Sequence, residues 1–233
     1  MIRLDKFLAD MGFGTRTEVK KMVRKGLCCV SDETEKDAGR KIDPQTDTVT
    51  VEGQVIEYKP FVYLMMNKPP GVICATEDSR NETVLDLLPV HFAHYDIHPV
   101  GRLDKDTVGL LLLSNDGVLT HRLLSPKHKV PKVYFARLAK PLDQDAQEKL
   151  EQGVTLDDGY VCMSAVCEMA EDGILLTIVE GKYHQVKRML VAVGNEVTFL
   201  KRVRFAGLAL DQALQPGQCR ELSEDELGIL WGE

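Results

Sequence analysis

The stretch HPVGRLDKDTVGLLLLSNDG, residues 98–117, decides how the chain is to be read. Its apolar part, VGLLLLS at 108–114, is seven residues long, bounded by polar residues and closed by an Asp-Gly pair. A run of that length without alternation fits a strand buried on both faces. Directly ahead of it stand Arg102, Asp104, Lys105 and Asp106, four charges at the mouth of a segment that must be buried. A doubly buried strand needs strand neighbours and helical cover. FVYLMMNKP, KVYFARL, VCMSAVCEMA, ILLTIVEG and FLKRVRFAGLAL supply the strands. NETVLDLLP (capped by Asn81 or Thr83), VLTHRLLS, DQDAQEKLEQG and YHQVKRMLVAVG supply the helices. Long strand stretches with few helices between them predict an α+β fold with a mixed, mainly antiparallel sheet flanked by helices.

Toward the N-terminus the pattern changes scale. LDKFLADMG places Leu4, Phe7, Leu8 and Met11 on one helical face, and TEVKKMVRKG does the same with Val19, Met22 and Val23. Thr15 or Thr17 caps the second helix, and Gly26 closes it. LCCV, DTVTVEG and QVIEY then read as short strands around the turn-rich SDETEKDAGRKIDPQT. Two helices on a small sheet make a compact first domain over 1–58, with Lys20, Lys21, Arg24 and Lys25 on the polar side of its second helix. A second domain is expected over 59–233, after the junction Tyr58-Lys59-Pro60.

Bulk properties set limits. The 233 residues are 44% hydrophobic, enough for a proper core, and no window nears the ~18 apolar residues of a membrane span. The N-terminus lacks the apolar centre of a secretory signal, and the six cysteines show neither zinc spacing nor a disulfide framework. A cytoplasmic protein without a bound metal is expected. The net charge is −7, yet the cations are segregated. Residues 1–25 carry +4, residues 119–140 carry +6 with no acid, and residues 182–204 carry +5. Such runs suit an RNA or DNA partner.

Three stretches carry the chemistry. Asp104 is either one half of a loop ion pair with Arg102 or Lys105, or a carboxylate kept ionised by cations as nucleophile or base. A glycosidase-like pairing with Asp106 is disfavoured, since Lys105 lies between them and nothing requires the two to share a substrate. In PKVYFARL, Lys132 and Tyr134 point to one face of a strand, where an aromatic beside a cation suits stacking of an unpaired base. A half-buried core tyrosine is the competing reading. In VEGKYHQVKRMLVAVGN, Lys187 or Arg188 can turn inward and meet a carboxylate.

Two resemblances then attach. R-L-D-K-F-L-A, the Thr-Arg of the inter-helix turn and the Lys-Gly after the second helix resemble an S4 RNA-binding domain over 1–58. The likeness departs at Cys28-Cys29-Val-Ser-Asp, which stands where a short strand and an Asn-Gly-like turn are usual. N-K-P-P-G at 67–71, G-R-L-D-x-x-T-x-G at 101–109, K-x-Y at 132–134 and E-G-K-Y-H-Q-V-K-R-M at 180–189 together resemble bacterial pseudouridine synthases of the S4-bearing type. H-Q-V-K-R-M is similar to the 16S rRNA branch rather than the R-Q-V-R-R-M of large-subunit branches. The resemblance implies isomerisation of one 16S rRNA uridine, of the position-516 type, without any cofactor. It assigns Asp104 as catalytic aspartate, Tyr134 to the target base and Lys187 as the aspartate's cation. Arg102 and Thr107 fall on positions that shape the loop. Lys132, His184, Gln185 and Arg188 are expected at the substrate, with Arg3, Arg16, Lys20, Lys21 and Arg24 on the RNA from the first domain. A monomer acting on rRNA, naked or in an assembling small subunit, is implied. Three other readings stay open: a non-catalytic ribosome-assembly protein, a glycosidase releasing uracil, and a synthase for 23S rRNA or tRNA.

Overall fold

A computed structural model describes residues 1–232 of the chain. Close packing divides it into two compact units, Met1–Val62 with Pro89–Asp96, and Tyr63–Leu88 with Ile97–Glu233. The excursion Pro89–Asp96 thus groups with the N-terminal residues, away from the sequence that surrounds it.

The first unit runs β1 (Ile2–Arg3), α1 (Leu4–Asp10), α2 (Arg16–Arg24), β2 (Cys28–Val30), β3 (Glu33–Glu35), β4 (Lys41–Ile42), β5 (Val49–Val51) and β6 (Gln54–Ile56). Leu4, Phe7 and Leu8 of α1 and Val19 and Val23 of α2 are buried together with Cys28, Val30, Val49 and Val51. Thr15 caps α2, accepting from the Glu18 amide at 3.3 Å while the Glu18 carboxylate accepts from the Thr15 amide at 2.7 Å. That reciprocal pair satisfies two otherwise orphaned donors. The strands form a sheet in the order β3-β2-β5-β6, while β1 pairs with β4. The expected departure at Cys28-Cys29-Val-Ser-Asp closes: β2 is the short strand, and Ser31 and Asp32, with φ of 50° and 68°, make the two-residue turn to β3. Both residues take the left-handed backbone that a type I′ hairpin requires. β3 and β4 lie inside the segment expected to be turn-rich.

The second unit runs β7 (Tyr63–Lys68), β8 (His98–Pro99), β9 (Val108–Ser114), α3 (Gly117–Leu124), β10 (Lys132–Leu138), α4 (Gln144–Gln152), β11 (Val166–Ala170), β12 (Gly173–Ile178), α5 (Gln185–Ala192), β13 (Val197–Phe205), β14 (Leu208–Ala209), β15 (Cys219–Glu221) and α6 (Glu224–Trp231). Its sheet has the order β11-β12-β10-β13-β9-β7-β15, with β14 on β13 and β8 on β9. Every pairing is antiparallel except β9 with β13, so the mixed, mainly antiparallel α+β architecture holds. Strand β9 is buried from Gly109 to Ser114, as a central strand must be.

The parallel seam depends on Gly109. Its φ is +99°, and a Cβ there would lie 2.4 Å from the Arg202 carbonyl oxygen. Only glycine allows β9 and β13 to meet, and β9 begins immediately after the charged loop.

Three elements differ from expectation. Residues 81–89 form no helix: Thr83 and Asp86 make a reciprocal cap, but the turn stops before Pro89, which disfavours helix in the residue ahead of it. Asp116-Gly117, expected to close the strand as a turn, caps and starts α3, the Asp116 carboxylate accepting from the Val118 and Leu119 amides. FLKRVRFAGLAL is two strands joined by a turn at Ala206-Gly207, whose φ values are 52° and 88°.

Candidate active site

The loop before β9 lies at one wall of an open recess of about 410 Å³ in the second unit. Arg102, Asp104, Thr107, Tyr134, His184 and Gln185 all line it, with Leu103, Ile178, Val186 and Leu200 as apolar walls. Tyr134, in mid-β10 and 8% exposed, offers a ring beside a β-bulge in the β10–β13 pairing. Bulges re-aim side chains next to sites of this kind.

Asp104 is held from two sides. One carboxylate oxygen lies 3.3 Å from Lys187 Nζ, the other 3.6 Å from His184 Nε2. Lys187 projects from the first turn of α5 and also donates to Asp106 at 2.6 Å. Partial burial works against the Lys187 charge, but the Asp106 and Asp104 carboxylates outweigh it and hold its pKa above the ordinary value. The hydrogen bond from Lys187 in turn holds the Asp106 carboxyl below the usual range. The competing ion pairs of Asp104 with Arg102 or Lys105 do not form: Arg102 is exposed at the recess, and Lys105 Nζ donates to Asn81 at 2.8 Å.

The main chain of this loop is fixed by a residue that sequence reasoning left without a role. Lys68, at the end of β7 and fully buried, donates to the carbonyls of Pro69, Asp104, Lys105 and Thr107 at 3.1, 3.1, 3.3 and 2.9 Å. Burial pushes its pKa down, and the four carbonyl dipoles replace lost water. A lysine ending an apolar strand and followed by two prolines was the available signal. Thr107 beside it is 1% exposed, and its hydroxyl at the recess has no hydrogen-bond partner within the chain.

The lip between β12 and α5 is equally tied down. Glu180 accepts from the Tyr160 hydroxyl, from the Met163 amide at 2.8 Å and from the Gln185 amide group at 2.9 Å. Gln185 also accepts from the Lys182 amide at 2.9 Å, so it acts as a buried brace as well as lining the recess. His184 has a left-handed backbone, φ 49°, and its ring stacks on Tyr183 at 3.8 Å and 19°. Non-glycine residues in that conformation cluster at functional sites.

Two residues expected at substrate are placed elsewhere. Lys132 shares the face of Tyr134 but is buried, 5.4 Å above the Phe205 ring and donating to the Val130 carbonyl at 2.9 Å. Burial pushes its pKa down to about 8, so it is packed rather than poised for a base. Arg188 binds Asp157 and Asp158 on the lip, and lies outside the recess. Arg202, counted in the basic run, is buried, with Nε donating to the Leu110 carbonyl at 2.8 Å.

In the first unit, Arg3, Arg16 and Lys20 converge on one carboxylate. Asp5 is completely buried and lies 3.1, 2.7 and 3.9 Å from their nitrogens. Their side chains remain about half exposed, while Lys21 and Arg24 lie on the outer face of α2. Among the described residues no cluster of three metal-ligating side chains occurs, and no helix is long and apolar enough to cross a membrane.

Comparison with known proteins sharpens this geometry. Residues 62–192 match the family model for RNA pseudouridylate synthases, and residues 2–48 match that for the S4 domain. An uncharacterized RNA pseudouridine synthase of Bacillus subtilis is 50% identical, over 98% of each chain. The ribosomal small subunit pseudouridine synthase A of Vibrio cholerae is 42% identical, over 99% of this chain and 100% of its own. That of Escherichia coli K12 is 38% identical, over 97% and 98%. A crystal structure of a pseudouridylate synthase has a TM-score of 0.69 at 34% identity, covering 99% of this chain and 100% of that one.

Proposed function

The chain belongs to the RNA pseudouridylate synthase family, and we propose that it isomerises one uridine of 16S ribosomal RNA, of the position-516 type. The observation that carries the reading is Asp104, partly exposed in the recess and bracketed by Lys187 and His184. Relatives named for the small ribosomal subunit support the choice of RNA.

On this reading the uridine leaves its stack, at a cost of a few kcal/mol, and its base enters against the Tyr134 ring. Asp104 acts on the ribose, bonding to C1′ or taking the C2′ proton. The N1–C1′ bond breaks, the uracil turns, a C5–C1′ bond forms, C5 loses its proton and N1 gains one. No atom is added overall, so the chain's own residues suffice. Lys187 sets a positive charge beside the carboxylate, and Lys68 holds the main chain that carries it. The Thr107 hydroxyl, buried and unpaired, supplies a hydrogen-bonding group at the recess. Arg102 shapes the loop from its exposed edge. The first unit, with Lys21 and Arg24 exposed beside Arg3, Arg16 and Lys20, grips RNA phosphates without reading bases. The enzyme acts as a cytoplasmic monomer, on free rRNA or an assembling small subunit, under this proposal. The domain division proposed for these tasks is 1–58 and 59–233.

The test is tritium release from 16S rRNA transcribed with C5-tritiated uridine. Wild type should release one equivalent per RNA, and Asp104→Asn none, with RNA binding and unfolding unchanged. Release of free uracil would instead mark a glycosidase. Loss of folding in Asp104→Asn would make the carboxylate a structural ion pair.

A further inference from the structure

We propose that Tyr183 is a stacking subsite for a nucleobase adjacent to the target uridine, an inference that rests on reading the recess as the uridine's site. Tyr183 is 73% exposed and stands two residues before the buried Gln185. It is not idle surface. One face of its ring lies on the His184 imidazole, with centroids 3.8 Å apart and planes at 19°. His184 is the residue that approaches Asp104 at 3.6 Å, so the ring sits one layer outward from the reacting carboxylate.

The main chain that carries Tyr183 is held before RNA arrives. Its carbonyl accepts from Arg188 Nη1 at 3.3 Å, and Arg188 is itself fixed by Asp157 and by Asp158 at 2.7 Å. The next residue, His184, has a left-handed backbone, and Gln185 ties the Lys182 amide. A preformed platform loses little freedom on binding, so more of the stacking energy appears as affinity. Lys182, the preceding residue, lines the recess with its Nζ 4.4 Å from the Tyr160 ring, and Arg102 is exposed at the same recess. An aromatic face beside cations is what an unpaired base and its phosphate bind. Flipping the uridine leaves its neighbour without a stacking partner, and the outer face of Tyr183 replaces it.

The experiment measures kcat and KM for Tyr183→Ala and Tyr183→Phe by tritium release from 16S rRNA. It also uses splint-ligated 16S rRNA made abasic on one side or the other of the mapped uridine. Tyr183→Ala should raise KM about tenfold, within the range expected for one lost base stack, while kcat stays within twofold. Tyr183→Phe should behave as wild type, since the ring face alone is used. One abasic substitution should raise the wild-type KM by the same factor and leave Tyr183→Ala unaffected. Wild-type KM values for both Tyr183 variants would overturn the subsite while leaving the uridine site standing. A lower kcat at unchanged KM would show that the ring only positions His184, and would also overturn it. No release by wild type from any RNA would remove the uridine reading and this inference with it.

Discussion

Replacing Lys68 by Met removes a cation no part of which reaches solvent, and the structure permits its effect to be worked through. Its ammonium group serves four carbonyls. Two of them keep other donors: Asp104 O accepts from the Thr107 amide at 3.1 Å, and Lys105 O from the Gly71 amide at 2.8 Å. Losing Lys68 at those two costs about 1 kcal/mol together. Thr107 O, at 2.9 Å the shortest of the four, and Pro69 O, on a partly exposed residue, lose a charged donor, at about 2–3 kcal/mol together. Removing the buried charge returns roughly 1 kcal/mol. The net loss is therefore about 2–3 kcal/mol. Activity should fall further than stability, because the same carbonyls set the position of Asp104, and a displacement of ~1 Å costs on the order of a hundredfold in rate. Urea unfolding and single-turnover tritium release on Lys68→Met check both numbers. A stability loss under about 1 kcal/mol together with kcat within threefold of wild type would refute the assignment of Lys68 as the clamp.

Two further outcomes follow from buried charge. Asp5 is held well below the usual carboxylate range, first by its hydrogen bond from Arg3 and then, against the effect of burial, by Arg16. A depressed folded pKa gives stability that is present above about pH 4 and lost as pH falls below it. Asp5→Asn should therefore cost roughly 2 kcal/mol at pH 7 and show a smaller drop between pH 5 and pH 3; equal urea midpoints at pH 7 would count against the reading. Lys132 acts with the same sign in a higher pH window: its folded pKa of about 8 lies below its ordinary value, so the unfolded chain binds the proton more tightly. Wild-type stability should gain up to roughly 3 kcal/mol between pH 8 and pH 10.5 from this group, and Lys132→Met should lack that rise; parallel pH profiles would sink the point.

What the sequence revealed and what it hid follow one rule. Periodicity exposes elements whose partners are near in sequence or whose burial is uniform. β9 and the first two helices are of this kind, and most of their apolar positions fall in the core as read. Residues 81–89 carry a true cap signal, but Pro89 stops the turn that the cap begins. Polar side chains at one recess were legible only as motifs, because Asp104, Tyr134 and Lys187 come from a loop, a strand and a helix 30 to 83 residues apart. Long-range charge was the least legible. Lys132, Arg188 and Arg202 look like free cations in sequence, yet each is absorbed by a carbonyl or carboxylate far along the chain or by burial. The +5 and +6 runs therefore overstate the charge left for RNA, whereas Lys20, Lys21, Arg24 and Lys25 stay exposed.

The carboxylate at the mouth of the core is thus managed by cations with separate tasks. Lys68 binds only main-chain oxygens, so it fixes where Asp104 sits without neutralising it. Lys187 meets the side chain, but its shortest contact is to Asp106, 2.6 Å against 3.3 Å to Asp104. That asymmetry has a chemical use if Asp104 is the reacting group. Once Asp104 bonds to C1′ or takes a proton, its negative charge is gone, and a partly buried lysine with no other partner would be left uncompensated, an expensive state. Asp106, three-quarters exposed and held ionised by Lys187, remains as the counter-charge throughout. On the proposed reaction, the second carboxylate, which a glycosidase would use for chemistry, keeps the lysine's charge balanced while the first one changes state.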